Sequence, residues 1–130
     1  MKEPLWLSKA AVLVFHGELL EEYGGAEGIR DKGLLESALG KPQNLFAYGK
    51  PTLFDLAASH AFGIVRNHPF IDGNKRTGFV AAGAFLDRNG WELIASEADA
   101  TLKTLALAAG EMIESEYASW LRDNCQKLRA

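Results

Sequence analysis

Apolar and polar positions divide this chain into helical stretches punctuated by glycine and proline. From Ser8, a favoured N-cap, the apolar residues Val12, Phe15 and Leu19 recur on one face until Gly24-Gly25 offers a left-handed stop, which predicts a first helix to about Tyr23. A second, short helix is expected from Asp31 to near Gly40. The segment KPQNLFAYGKP that follows, Lys41 to Pro51, reads as a loop because it holds two prolines and Gly49. Thr52 then caps a third helix, Leu53 to Asn67, whose Leu56, Ala57, Phe62, Ile64 and Val65 give the largely apolar pattern of a buried central element. His68-Pro69 ends it, since proline drives the residue before it out of the helical region.

A fourth helix starts near Gly73 and passes through Phe79, Ala82, Phe85 and Leu86 to Gly90. Its run of Ala81, Ala82, Gly83 and Ala84 makes it slim enough to pack closely, so it too is expected at the centre. Trp91 to Ile94 is short and extended, an edge strand or an irregular link. Ser96 begins a fifth helix, to about Gly110, and Ser115 a sixth, to about Gln126. With no repeats, linkers or low-complexity tracts, the expected fold class is all-α: one domain over residues 1–130, a bundle of about six helices with a loop held between the two central ones.

Composition narrows the function. The 14 basic and 17 acidic residues leave a net charge of -3, without the diffuse positive field of a sequence-independent nucleic-acid binder, so no direct nucleic-acid partner is expected. The single cysteine, Cys125, allows neither an internal disulfide framework nor a cysteine-rich metal site and suits a reducing, cytoplasmic setting. The apolar start is interrupted by Ser8 and Lys9 and runs into a helix, so no signal peptide is read there, and no stretch is apolar for long enough to span a membrane.

One segment is dense in chemistry. HPFIDGNKRTG, His68 to Gly78, places an imidazole, a carboxylate, an amide and two adjacent cations on the loop and start of the fourth helix. A helix start has unpaired N–H groups and partial positive charge, which favour phosphate. Lys75 and Arg76 lie in that first turn, where cations are unfavourable unless an anion comes from outside, and Gly73 lets a ligand approach the backbone. His68 can accept a proton from a hydroxyl near neutral pH. Asp72 can hold Mg²⁺, which prefers one or two carboxylates together with phosphate oxygens. Asn74, Lys75 and Arg76 can hold a polyphosphate while charge develops. Taken singly, Asp72 or Asn74 is an ordinary N-cap, Phe70 a core anchor and Arg76 a surface ion-pair partner; their coincidence on one loop favours phosphoryl or nucleotidyl transfer. His16 and His60 lie within helices, without partners at metal-ligand spacing, and read as structural.

The segment resembles the Fic-domain motif, H-x-F-x-[D/E]-G-N-x-R. YGGAEGIRDKGLLESALGKPQ, Tyr23 to Gln43, and the DRNGW turn after the motif helix resemble the death-on-curing branch, the Doc toxins, and the resemblance runs from about Leu7 to Cys125. Fic enzymes typically transfer AMP, with a motif continuing G-N-G-R-x-x-R. Here Lys75 stands for the second glycine and Phe79 for the second arginine. Doc-type toxins share the N-K-R form, and the resemblance implies a kinase that places the γ-phosphate of ATP on a threonine of elongation factor Tu. Gly73 leans the other way, since the Gly-Asn pair is shared with AMP-transferring members while Doc-type motifs carry alanine there.

By position, the resemblance implies His68 as the base, Asp72 as the Mg²⁺ ligand and Gly73, Asn74, Lys75 and Arg76 as the phosphate site. Arg66 matches an arginine of the Doc motif region, implying contact with nucleotide or target. Three readings stay open: a toxin kinase acting on a translation factor, an AMP transferase acting on a protein hydroxyl, and a non-catalytic member that binds antitoxin or nucleotide. Self-inhibited members carry a helix of the form [S/T]-x-x-x-E-[G/N]; the nearest string here is SWLRDN, Ser119 to Asn124, with aspartate for glutamate. A separate antitoxin protein is therefore the expected partner.

Overall fold

A helix buried on nearly every side organises the computed structural model, which describes residues 1–128. This is α3, Leu53–Asn67, in which Leu56 to Ala61 and Gly63 to Val65 are all buried. Thr52 starts it with a capping box: its hydroxyl accepts from the Asp55 N–H at 3.1 Å, and the Asp55 carboxylate accepts from the Thr52 N–H at 2.8 Å. Around it pack α2 (Lys32–Tyr48), α4 (Asn74–Arg88) and α6 (Glu114–Asp123), with α1 (Lys9–Tyr23) against α4 and α5 (Glu97–Ala109) against α3 and α4. The six helices and the central placing of α3 and α4 are as the apolar pattern predicts.

The α3–α4 seam depends on small side chains. A Cβ at Gly78 would stand 2.7 Å from Val65 Cγ1 and 3.1 Å from the Ala61 carbonyl oxygen, so only glycine allows this approach. Ala81 and Ala82 continue the seam, fully buried. Phe85, Leu86, Leu107, Tyr117 and Leu121 then fill the main core with residues of α3.

Two expectations about elements are corrected. The expected loop from Lys41 to Pro51 is helical as far as Tyr48, and Pro42 lies buried inside α2. A proline there removes one backbone bond and costs about 3 kcal/mol in a free helix. The second half of α2 offsets this by bringing Leu45 and Phe46 onto the main core, where Phe46 meets Trp6 edge-on with ring centres 5.8 Å apart. The sixth helix ends at Asp123 rather than near Gln126. Residues Cys125–Lys127 form β2, antiparallel to β1 (Trp91–Leu93), with Trp91 opposite Lys127 and Leu93 opposite Cys125. Backbone groups of β1 would otherwise lack partners, and this pairing outweighs the weak helical pattern of the segment. Among the described residues no helix is long and apolar enough to cross a membrane.

Candidate active site

The two central helices meet at the loop that carries the charged cluster. α3 ends at His68, which adopts the left-handed conformation (φ 49°, ψ 56°) while its N–H still donates to the Ile64 carbonyl at 3.2 Å. Among the described residues His68 is the one non-glycine with positive φ. That conformation costs an ordinary side chain about 1–2 kcal/mol and persists where the surroundings impose it.

Those surroundings are hydrogen bonds from several elements. Phe70, buried, stacks on His16 of α1 with ring centres 3.8 Å apart and planes within 10°. Asn74 brackets Phe70, its Oδ1 accepting from the Phe70 N–H and its Nδ2 donating to the Phe70 carbonyl, each at 3.0 Å. His16 Nε2 donates to the Asp72 carbonyl at 2.8 Å, which places the imidazole proton on that nitrogen. From the segment between α1 and α2, the Gly28 carbonyl accepts from the Ile71 N–H at 3.1 Å, and Ile29 forms a bridge with Phe70.

This geometry revises several single-residue readings. Asp72 does not cap α4: Gly73 holds the N-cap position (φ 79°), and the Asp72 carboxylate accepts from the Ala26 N–H through Oδ2 at 3.0 Å. Asn74, read as a phosphate holder, has its side-chain amide committed to Phe70 and is only 6% exposed, so what it can offer an anion is its backbone N–H. Its Nδ2 also lies 3.5 Å from His68 Nδ1, too long to fix the His68 proton. Phe70 is a core anchor, as its sequence position suggests. His16 is structural but not idle, since it supports the carbonyl of the very residue whose carboxylate is the candidate metal ligand. Its place between Val12 and Leu20, one helical turn from each, was the available signal.

Asp72, Gly73, Asn74, Lys75 and Arg76 line one end of a groove of about 920 Å³ that follows α4 towards β1 and α5. No acidic residue lies in the first turn of α4 and no side chain caps it, so its N–H groups and the exposed Lys75 and Arg76 form a positive end, with the Asp72 carboxylate beside it. The Arg76 guanidinium lies over the Tyr23 ring, 4.2 Å from its centre. Phe79, at the position of the missing second arginine, lies on the groove wall with its ring 6.5 Å from that of Trp120. His68 and Arg66 do not line this groove. His68 is exposed on the loop before it, and Arg66 lies over the Phe62 ring at 5.6 Å with its guanidinium against Gly110. The structure thus gathers five of the seven proposed site residues around one cavity, with His68 adjoining through the loop and Arg66 apart.

Comparison with known proteins agrees with this arrangement. The Fic/DOC family model matches residues 6–86, more than half of the chain and the stretch that builds α1 to α4 with the loop. The chain is 36% identical over 117 residues to "Protein kinase doc" of Escherichia phage P1, covering 89% of this chain and 92% of that protein. It is 45% identical over 76 residues to "Toxin Doc" of Mycolicibacterium smegmatis, covering 56% of this chain and 58% of that one. A histidine loop between two central helices, an uncapped helix start behind it and a match of this extent place the chain in the Fic/DOC family.

Proposed function

We propose that this chain is the toxin of a toxin–antitoxin pair, and that it transfers the γ-phosphate of ATP to a hydroxyl of a translation factor of the elongation factor Tu type in the cytoplasm. The observation that carries the choice of phosphate over AMP is the pair Lys75 and Phe79. Lys75 occupies the place where a second glycine would admit the diphosphate closely, and Phe79, committed to the groove wall beside Trp120, cannot clamp an anion. The names of the relatives, a protein kinase and a toxin, point the same way.

In this reading His68 accepts the proton of the target hydroxyl as its oxygen attacks the γ-phosphorus. The bond from that phosphorus to the bridging oxygen breaks, and ADP leaves. The first-turn N–H groups of α4, Lys75 and Arg76 hold the phosphate oxygens as negative charge shifts towards the leaving group. Among the described residues no group of three or more His, Cys, Asp or Glu side chains could hold a metal alone. Asp72 has one carboxylate oxygen bonded to Ala26 and the other free of protein donors, a donor set that fits Mg²⁺ arriving with the nucleotide. The bound ion would neutralise phosphate charge.

AMP transfer is the second reading, favoured by Gly73, because the Gly-Asn pair at the helix start is the one the AMP-transferring members share. The test is to incubate the purified chain with elongation factor Tu and ATP and take the intact mass of the target. A gain of about 80 Da is expected for phosphate, whereas about 329 Da would establish AMP transfer. No gain on this factor, with the chain folded and nucleotide bound, would remove it as the target.

A further inference from the structure

Three consecutive carbonyls around His68 are taken by one short segment of the chain. The Arg30 guanidinium donates through Nε to the His68 carbonyl at 2.6 Å and through Nη2 to the Asn67 carbonyl at 2.8 Å. The backbone N–H groups of Arg30 and Asp31 both donate to the Pro69 carbonyl, at 2.7 and 3.1 Å. We propose that Arg30 is a positioning residue whose planar fork holds the end of α3 in the turn that presents the His68 imidazole to the target hydroxyl. The proposal rests on the reading of His68 as the base.

Beyond the backbone itself, little fixes where that imidazole stands. Its ring is exposed, and its side-chain contact is the long one to Asn74, so its direction follows from the backbone. The backbone is left-handed without the glycine that would adopt this conformation freely, and therefore needs external restraint. Arg30 is well placed to provide it, because it is itself anchored. Asp31, its neighbour, is the N-cap of α2 with its carboxylate accepting from the Leu34 N–H at 2.9 Å, and Ile29 bridges Phe70. The residue type matters too. Two successive carbonyls at the negative end of a helix suit a charged donor with two N–H groups in a fixed plane; the compact lysine ammonium lacks that geometry.

A residue that merely capped α3 would affect unfolding and nothing more, so the test must read the position of His68. Arg30→Ala and Arg30→Lys are made in the full chain, and transfer kinetics are measured with the backbone Cα chemical shift of His68. The expected result for Arg30→Ala is a fall in kcat of roughly 10- to 100-fold, as for a reacting group misplaced by a fraction of a bond length, with KM for the nucleotide unchanged. Arg30→Lys, which keeps the charge and tests the fork if the alanine variant does not fold, should recover only part of this loss. In both variants the His68 shift should move from its left-handed value. An unmoved His68 shift, or a kcat within about two-fold of the parent despite a lowered unfolding temperature, would overturn the proposal and leave Arg30 a cap. If the parent chain transfers nothing to any hydroxyl, the functional reading fails instead, and the His68 shift alone still decides whether Arg30 positions that residue.

Discussion

His68 occupies a conformation in which its side chain is a cost to the fold and a requirement of the proposed chemistry. His68→Ala should therefore reduce transfer by roughly 10²- to 10⁴-fold, the usual contribution of a general base, with little loss of stability. His68→Gly should be equally inactive and unfold no more readily than His68→Ala, because glycine takes φ 49° without steric strain. Growth arrest by either variant at equal soluble expression would contradict the role of base. Asp72→Ala should weaken nucleotide binding only when Mg²⁺ is present, which calorimetry with and without the metal would check. His60 gives an independent prediction about pH. It is buried beside Phe85, with no hydrogen-bond partner for either ring nitrogen among the described residues, and burial lowers its pKa to about 4. The unfolded chain then binds the extra proton first, so the contribution of neutral His60 is complete above about pH 6.5 and is lost as the pH falls towards 4, on the order of 3 kcal/mol in all. Urea unfolding at the two ends of this window should show a smaller pH dependence for His60→Leu than for the parent; equal slopes would mean that His60 is not the group responsible. The candidate site residues could be picked out from the sequence by type and spacing, and five of the seven line one groove. Their partners could not be picked out. That Asn74 turns inward to Phe70, that His16 reaches Asp72 and that Arg30 grips the end of α3 are facts of tertiary approach across 4, 56 and 38 positions of chain.

At the scale of elements, α4 links the proposed chemistry to architecture, since its first turn is the proposed anion site and its next turns line the groove. Exchanging Lys75→Gly and Phe79→Arg together would open the approach to the helix start and place a cation one turn further along it. This double variant is expected to lose phosphate transfer and gain labelled adenine on the target, measured with nucleotide labelled in the adenine and at the γ-phosphate in parallel. Unchanged phosphate transfer by the double variant would show that neither position selects the reaction. The elements themselves were mostly readable from caps and periodicity: Ser8, Thr52 and Ser96 each accept from the backbone N–H three residues on, and the glycines at 24 and 110 close α1 and α5. Where local signals and packing conflict, packing prevails. Pro42 and Gly49 signal a loop, but Leu45 and Phe46 gain more from the core than the helix loses at the proline. Residues 125–127 carry no strong strand signal because their partner, β1, lies more than thirty positions earlier.

For the whole molecule, the groove poses a problem of control. It follows α4 from Asn74 to Asp87, about 20 Å of helix, and exposes Leu19, Phe79, Val80, Leu93 and Leu105 along the way, with Leu105 45% exposed. Its charge is divided: Lys75 and Arg76 stand with Asp72 at the loop end, and Asp87, Glu92 and Glu97 at the other. Asp123 of the SWLRDN string is exposed, pairs with Arg122 and makes no contact with Arg76. An apolar groove about three to four helical turns long, with two cations at the loop end, fits an amphipathic antitoxin segment that carries acidic residues towards the loop and basic residues towards β1. A segment that is disordered alone and folds on binding suits this task, because it can cover the whole groove and still be removed by proteolysis. The expected outcome is that such a protein, encoded by a small neighbouring reading frame, co-purifies with this chain, restores growth and excludes nucleotide. Leu105→Glu, on the groove wall and away from the anion site, should weaken that complex while leaving transfer by the free chain intact. If the complex survives Leu105→Glu but fails on substitution of Tyr48, which is 90% exposed at the end of α2, the antitoxin holds another face of the molecule. Harmless expression of the intact, soluble chain alone would count against the toxin reading as a whole.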